Sequence, residues 1–177
     1  MGVRRVTTGH DADGRSVFAS DDDVDEITLE MMPDVVFRHL WASPAPPAVP
    51  VDGPADLGGP YFPIPGGVRV AQVVFPPQEQ GGGVPPDDLE SAAAEVEAKL
   101  PGLIAHMELD DPGMHTTDTV DVGIVVDGEV YLELDDGAEK HLSAGDVVVQ
   151  NGTRHRWHNR SDRPCLMTFV LVGAARR

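Results

Sequence analysis

The feature that most constrains the fold is the turn rhythm of the C-terminal half. From residue 113 onward, Asp127-Gly128, Asp136-Gly137 and Asn151-Gly152 read as hairpin signals, and Ala144-Gly145-Asp146 is a further turn. Between them lie short runs rich in Val, Ile and Leu: Asp121–Val126, Glu129–Asp135, Val147–Gln150 and Leu166–Val172. Short apolar runs between frequent turns predict an antiparallel all-β sandwich or barrel. Strands alternating with helices, as a parallel sheet needs, are absent.

The N-terminal half is less regular. Arg4–Thr8 and Ser16–Ala19 read as two strands joined by the loop Gly9–Gly14. The acidic run Asp21-Asp22-Asp23 reads as solvated. Val35–Trp41 is a strand with Val35, Phe37, His39 and Trp41 on one face, and Val68–Phe75 is a second. Residues 43–67 form a Pro/Gly-rich irregular segment expected to pack over the barrel. Gly81-Gly82-Gly83 is a hinge, with no Lys-Ser/Thr to make it a phosphate loop. Leu89–Leu100 is the one convincing helix. Asp87 or Asp88 would cap it, Pro101-Gly102 stops it, and Ala92, Val96 and Leu100 form its apolar face. The organisation expected is an arm over residues 1–60 and a barrel over 61–173, with an insertion at about 78–112.

Composition excludes several classes. Among the 177 residues, 13 Lys+Arg stand against 30 Asp+Glu, a net charge of −17. That argues against nucleic acid and anionic membrane surfaces, which require clustered cations. One cysteine, Cys165, allows no internal disulfide. No apolar h-region follows the N-terminus, so the chain is expected to be cytoplasmic.

Two segments carry the chemistry. One begins His115-Thr116-Thr117-Asp118-Thr119-Val120-Asp121, and the other closes Gly152-Thr153-Arg154-His155-Arg156-Trp157-His158-Asn159. Together they resemble the two-part signature of the cupins. The first motif, His-x-His followed by Glu and Gly, fits as His115, Thr117, Asp121 and Gly128; the second fits as Gly145, Gly152, His155 and Asn159. The resemblance implies a double-stranded β-helix, a jelly-roll-like antiparallel barrel with an N-terminal arm and an inserted helix. It also resembles small single-cupin proteins whose first motif has lost a ligand: here Thr117 replaces the second His, and Asp121 the Glu.

The resemblance implies a metal set of His115, Asp121 and His155, suited to Fe, Zn, Mn or Ni as one divalent ion. On a straight strand, six steps of ~3.3 Å would hold His115 and Asp121 about 20 Å apart, so the chain must turn after Thr117. Asp121 and Glu133 are the expected general acid/base groups. Thr117, Tyr131, Gln150 and Trp157 are the expected substrate contacts, with Arg154, Arg156 and His158 on the opposite, solvated face. The function implied is a metal-dependent enzyme acting on a small organic, secondary-metabolite-like substrate, by lyase, isomerase, dehydratase or oxygenase chemistry. The alternative is a metal-free binding barrel. A homodimer is expected, with the arm available to swap between copies.

Overall fold

The computed structural model describes residues 2–51, 57–78 and 88–177. The Gly81–Gly83 hinge and Asp87 lie outside the described residues. Eleven strands follow in chain order: β1 (Arg4–His10), β2 (Ser16–Asp23), β3 (Ile27–Leu29), β4 (Met32–Ser43), β5 (Val68–Phe75), β6 (Thr119–Asp127), β7 (Glu129–Glu133), β8 (Glu139–Ser143), β9 (Val147–Asn151), β10 (Arg156–His158) and β11 (Cys165–Gly173). The helix α1 (Leu89–Lys99) precedes β6. No helix among the described residues is long and apolar enough to cross a membrane.

The strands form a six-stranded sheet, β3-β4-β5-β11-β6-β9, a three-stranded sheet, β10-β7-β8, and the separate hairpin β1-β2. All pairs are antiparallel. The core lies where Phe37, Val73, Val125, Met167 and Phe169 of the larger sheet meet Val130 of the smaller. Strict alternation sends Thr119, Asp121, Gly123 and Val125 of β6 inward and the intervening residues outward.

Topology corrects the turn reading. Of the three Asp/Asn-Gly pairs, only Asp136-Gly137 closes a hairpin, between β7 and β8. Asp127-Gly128, Ala144-Gly145-Asp146 and Asn151-Gly152 are corners where the chain leaves one sheet for the other. Gly128 needs its missing side chain there: its φ is +82°, and a Cβ would stand 2.7 Å from the Pro164 carbonyl oxygen.

The arm is shorter than residues 1–60, because β3 and β4 are built into the larger sheet. Only the β1-β2 hairpin stands apart, and Arg5 reaches the His39 and Leu40 carbonyls of its own chain. β4 also departs from simple alternation. A bulge between His39 and Trp41 leaves Phe37, His39 and Ala42 inward and turns Trp41 onto the outer face. The helix begins at Asp88, whose carboxylate accepts from the Glu90 and Ser91 amides. Its Ala92, Val96 and Leu100 are fully buried as the spacing predicts.

Residues 57–67 close one end of the barrel. Gly66 donates to the Gly173 carbonyl, and Gly173 donates to that of Gly67. This approach is so close that a Cβ on Gly173 would lie 1.9 Å from the Ile64 carbonyl oxygen. Gly173→Ala should therefore lose about 3 kcal/mol of stability, the upper part of the usual overpacking range, measured by urea unfolding. An unchanged midpoint would show that the strap is free to move away.

Candidate functional site

His115 and His155 come together outside the regular sheets. Each donates its amide to the other's carbonyl, 3.0 Å in both directions, and their ring centroids are 4.1 Å apart. The Nδ1 of His115 lies 3.0 Å from the Gly113 carbonyl, and the Nδ1 of His155 lies 2.9 Å from that of Thr153. A carbonyl oxygen only accepts, so both Nδ1 atoms carry the proton and both Nε2 atoms keep a lone pair. No hydrogen bond within the described residues engages either Nε2. Burial pushes the pKa of His155 down to about 4, with His115 adding to the effect. Burial also lowers that of His115. The pair is thus neutral at pH 7.

Aromatic rings frame it. Phe62 stacks at 6.4 Å on His115 and meets His106 edge-on at 4.9 Å. Trp157 presents an edge to His155 at 5.8 Å, as the alternation of β10 requires, and packs on Phe75 and Phe169. Phe62 and His106 also line an open cleft of about 220 Å³ with Ile64, Asp118 and Arg176.

The chain turns after Thr117, as the spacing demanded, and β6 starts at Thr119. Thr117 is buried, and its hydroxyl accepts from that of Thr119 at 2.8 Å. Asp121 points inward directly across from Gln150. Both are buried, and Asp121 Oδ1 and Gln150 Nε2 have no hydrogen-bond partner among the described residues. Burial raises the Asp121 carboxyl to about 6, against a weaker pull from the Thr119 hydroxyl. Gln150 Oε1 accepts from the Thr153 hydroxyl at 2.9 Å, while the carbonyl of the same Thr153 orients His155. One residue thereby ties Gln150 to the histidine pair.

Among the described residues, the group that brings three potential ligand atoms within 4.8 Å of one another is a different one: Glu133, Glu139 and His158. It lies on the outer face of the small sheet, where Tyr131 and Glu133 alternate with the buried Val130 and Leu132. Tyr131, the expected substrate contact, and Glu133, the expected general acid/base group, therefore lie on the outer face of the small sheet. Tyr131 packs on His141 at 4.8 Å and lies beneath the Arg160 guanidinium. Glu133 accepts from Arg156 at 2.8 and 2.9 Å and meets His158 at 2.6 Å. These partners, Arg156 first, hold its carboxyl down at about 2. A carboxylate so saturated is unsuited to proton transfer near neutrality. Arg154 and Arg156 are likewise bound rather than solvated: Arg154 pairs with Glu108, Asp111 and Asp135, and Arg156 with Asp111 and Glu133.

Sequence reasoning missed Tyr61, Phe62, His106 and Arg69. Arg69 was open to detection as a charged residue at an inward position of an otherwise apolar strand. The others sit on irregular backbone with no periodicity to assign a face.

Residues 106–171 match the family described as "Cupin domain". The chain is 28% identical over 173 residues to a "Cupin-domain-containing oxidoreductase srdB" of Neurospora crassa, covering 95% of this chain and 72% of that protein. Over 62 residues it is 54% identical to "Phomopsin biosynthesis cluster protein C'" of Diaporthe leptostromiformis, a match of 34% of this chain and 33% of that protein. The chain therefore spans about a third of the length of that relative. Among solved structures, a Cupin 2 conserved barrel domain protein from Salinispora arenicola is 19% identical, with a TM-score of 0.41 over 83% of this chain and 82% of that one.

The buried carboxyl gives a pH test. Asp121 has a folded pKa near 6 against 3.8 unfolded, so its contribution to stability is full below about pH 4 and is lost as pH rises through 6. His155, near 4 against 6.5, acts oppositely: its contribution is full above 6.5 and is lost as pH falls through 4. In metal-free buffer, Asp121→Asn should remove only the first effect. Relative to wild type, the variant should gain up to about 3 kcal/mol between pH 4 and pH 7. Parallel urea-unfolding curves for the two proteins across that range would refute the assignment.

Proposed function

We propose that this chain, whose residues 106–171 match the cupin domain, is an enzyme acting on a small organic substrate beside the His115–His155 pair. The observation that carries this reading is the pair itself: two neutral imidazoles 4.1 Å apart, each fixed through Nδ1 by a backbone carbonyl. Anchoring Nδ1 in this way fixes the tautomer and orients Nε2, as in metal-ligating histidines. The donor chemistry fits a divalent ion of the Fe, Zn, Mn or Ni type. His115 and His155 would hold it, and Asp121, whose Oδ1 has no hydrogen-bond partner among the described residues, is the carboxylate that the motif supplies. When bound, such an ion supplies Lewis acidity or access to redox chemistry.

The chain's own residues do the rest. Asp121, raised to about 6, holds or releases a proton near neutral pH. Gln150 offers an unengaged N–H across from it. Phe62 and Trp157 provide flat apolar walls suited to an aromatic or conjugated substrate, and they keep water from the imidazoles. The similar full-length protein from Neurospora crassa is described as an oxidoreductase. That favours redox chemistry over lyase, isomerase or dehydratase chemistry.

The test is elemental mass spectrometry on protein purified without chelators or a metal-binding tag. The expected result is about one equivalent of Fe, Zn, Mn or Ni per chain, lost in His155→Ala and in His115→Ala. Folded wild-type protein that carries no metal and takes up none on titration would overturn the metal-dependent reading in favour of a metal-free binding barrel. Thr117 then becomes the telling residue, since its hydroxyl is already engaged by Thr119 where the motif has an imidazole.

A further inference from the structure

We propose that the cleft beside Phe62 is a binding site for a small planar carboxylic acid, held as its carboxylate by Arg176. Neither His115 nor His155 lines this cleft. It is therefore a site distinct from the imidazole pair, although the Phe62 ring belongs to both.

Two irregular segments build its apolar walls. Pro63, Ile64 and Pro65 form one. The prolines carry no N–H, so this strap leaves few donors in need of partners. Its end is pinned where Gly66 donates to the Gly173 carbonyl. Ala174 and Ala175 form the other wall, and Ala174 donates its amide to the Asp118 carbonyl at 2.9 Å. Their short side chains keep the cleft open. Its volume of about 220 Å³ lies below the roughly 300 Å³ at which pockets for drug-sized ligands begin, so its occupant is small. The rings of Phe62 and His106 stand 72° apart and make an aromatic corner. Such a corner accepts a flat ring stacked on one surface and edge-on to the other.

The polar groups select the chemistry. Arg176 donates through Nε to the Asp118 carboxylate and through Nη2 to the Thr117 carbonyl at 2.9 Å. No hydrogen bond among the described residues engages its Nη1. The guanidinium is thus held in place while the Nη1 N–H groups stay available, the arrangement that receives a carboxylate. One cation already shared with Asp118 suits a monoanion. A phosphate dianion would need more positive charge, on a chain whose net charge is −17. His106 supplies a second handle. Its Nδ1 lies 3.0 Å from the Thr116 carbonyl, which only accepts, so Nδ1 carries the proton and Nε2 keeps a lone pair. No hydrogen bond among the described residues engages that Nε2. It can accept from a hydroxyl or amino group on the ring of the acid. Apolar walls with a few placed polar groups are the composition of a small-molecule site.

Benzoate is the probe, titrated into the isotope-labelled full chain and followed by amide chemical shifts. EDTA is present throughout, so no metal at the histidine pair takes part, and either this proposal or the metal-dependent reading can fail while the other stands. Saturable shifts are expected at the amides of Ile64, Asp118, Ala174, Ala175 and Arg176, with a dissociation constant of about 1 mM, the scale a ligand of this size reaches. Benzamide has nearly the same shape and no charge. It should bind about tenfold more weakly, and so should benzoate to Arg176→Gln, because the lost hydrogen bond is charge-assisted. The Arg176 side chain is about half exposed, so circular dichroism and melting of that variant should match wild type. Ile64 is 58% exposed, and Ile64→Trp fills the cleft without removing a hydrogen bond, so it should abolish binding. The proposal is overturned by the absence of saturable shifts up to about 20 mM benzoate, or by shifts confined to other residues. Benzamide binding as tightly as benzoate overturns it too, as does unchanged benzoate affinity in folded Arg176→Gln or Ile64→Trp.

Discussion

The structure depends on where the buried guanidinium of Arg69 finds its partners. A buried cation is costly unless hydrogen-bonded on several sides. Arg69 is 1% exposed and points inward from β5. It donates to the carbonyls of Leu57, Gly58, Gly59 and Pro60, four consecutive residues with no sheet of their own to satisfy them. This exchange draws an irregular, Pro/Gly-rich segment across the end of the barrel. It also delivers the next two residues to the interior. Tyr61 packs on Phe37 and His39, and Phe62 on His106 and His115. A further Arg69 contact reaches His39 Nδ1 at 3.2 Å. Arginine only donates, so His39 must keep its proton on Nε2. Burial and the nearby guanidinium together lower its pKa to about 4. One cation thus seats the lid, places a wall of the histidine site and fixes the tautomer of a third imidazole.

Polar and apolar groups are sorted by face rather than spread over the surface. The outer side of the small sheet holds a connected ionic lattice. Arg154 and Arg156 share Asp111, Arg156 shares Glu133 with His158, and Arg160 pairs with Glu139. Isolated surface pairs contribute little. A lattice that binds residues 108–111 to the segment carrying His155 has a positional effect instead, because it holds the loop leading into His115 against the strand leading out of His155. The outer side of the larger sheet is the opposite case across β5, β11, β6 and β9, where Val, Ile and Leu predominate. Both faces of β11 are apolar apart from Thr168, and this explains why its sequence reads as a near-continuous hydrophobic run.

Those runs made the strands legible. Val68–Phe75 and the helix from Leu89 fall where pattern and caps place them, because alternation, Pro-Pro and Asp-cap signals are local. Strand partners are not local. Asp127-Gly128 and Asn151-Gly152 reverse the chain just as Asp136-Gly137 does, and nothing in a dipeptide tells whether the next strand joins its predecessor or crosses to the facing sheet. The site divides in the same way. His115 and His155 were found from motif spacing, and Trp157 from its alternation with His155. Glu133 and Tyr131 were misplaced by one pleat, since their position relative to Val130 and Leu132 depends on which face of β7 the barrel encloses. The Thr153 link between Gln150 and His155 required the tertiary structure, as did the contacts of Phe62.

The interior retains polar atoms that folding alone would remove. Asp121 Oδ1, Gln150 Nε2 and His39 Nε2 are buried without hydrogen-bond partners among the described residues, and each costs stability in that state. Leu171 lies between Arg69 and Asp121 in the same cross-strand row and shows that aliphatic side chains fit there. Retaining a carboxylate opposite an amide means that the barrel tolerates instability there. The unpartnered atoms supply both hydrogen-bonding senses: His39 and Gln150 can donate, and Asp121 can accept, or donate once protonated. An apolar ligand would leave all three unsatisfied. Under the proposed function these atoms would favour a substrate with both donor and acceptor groups over a purely apolar one, because only the former can satisfy them.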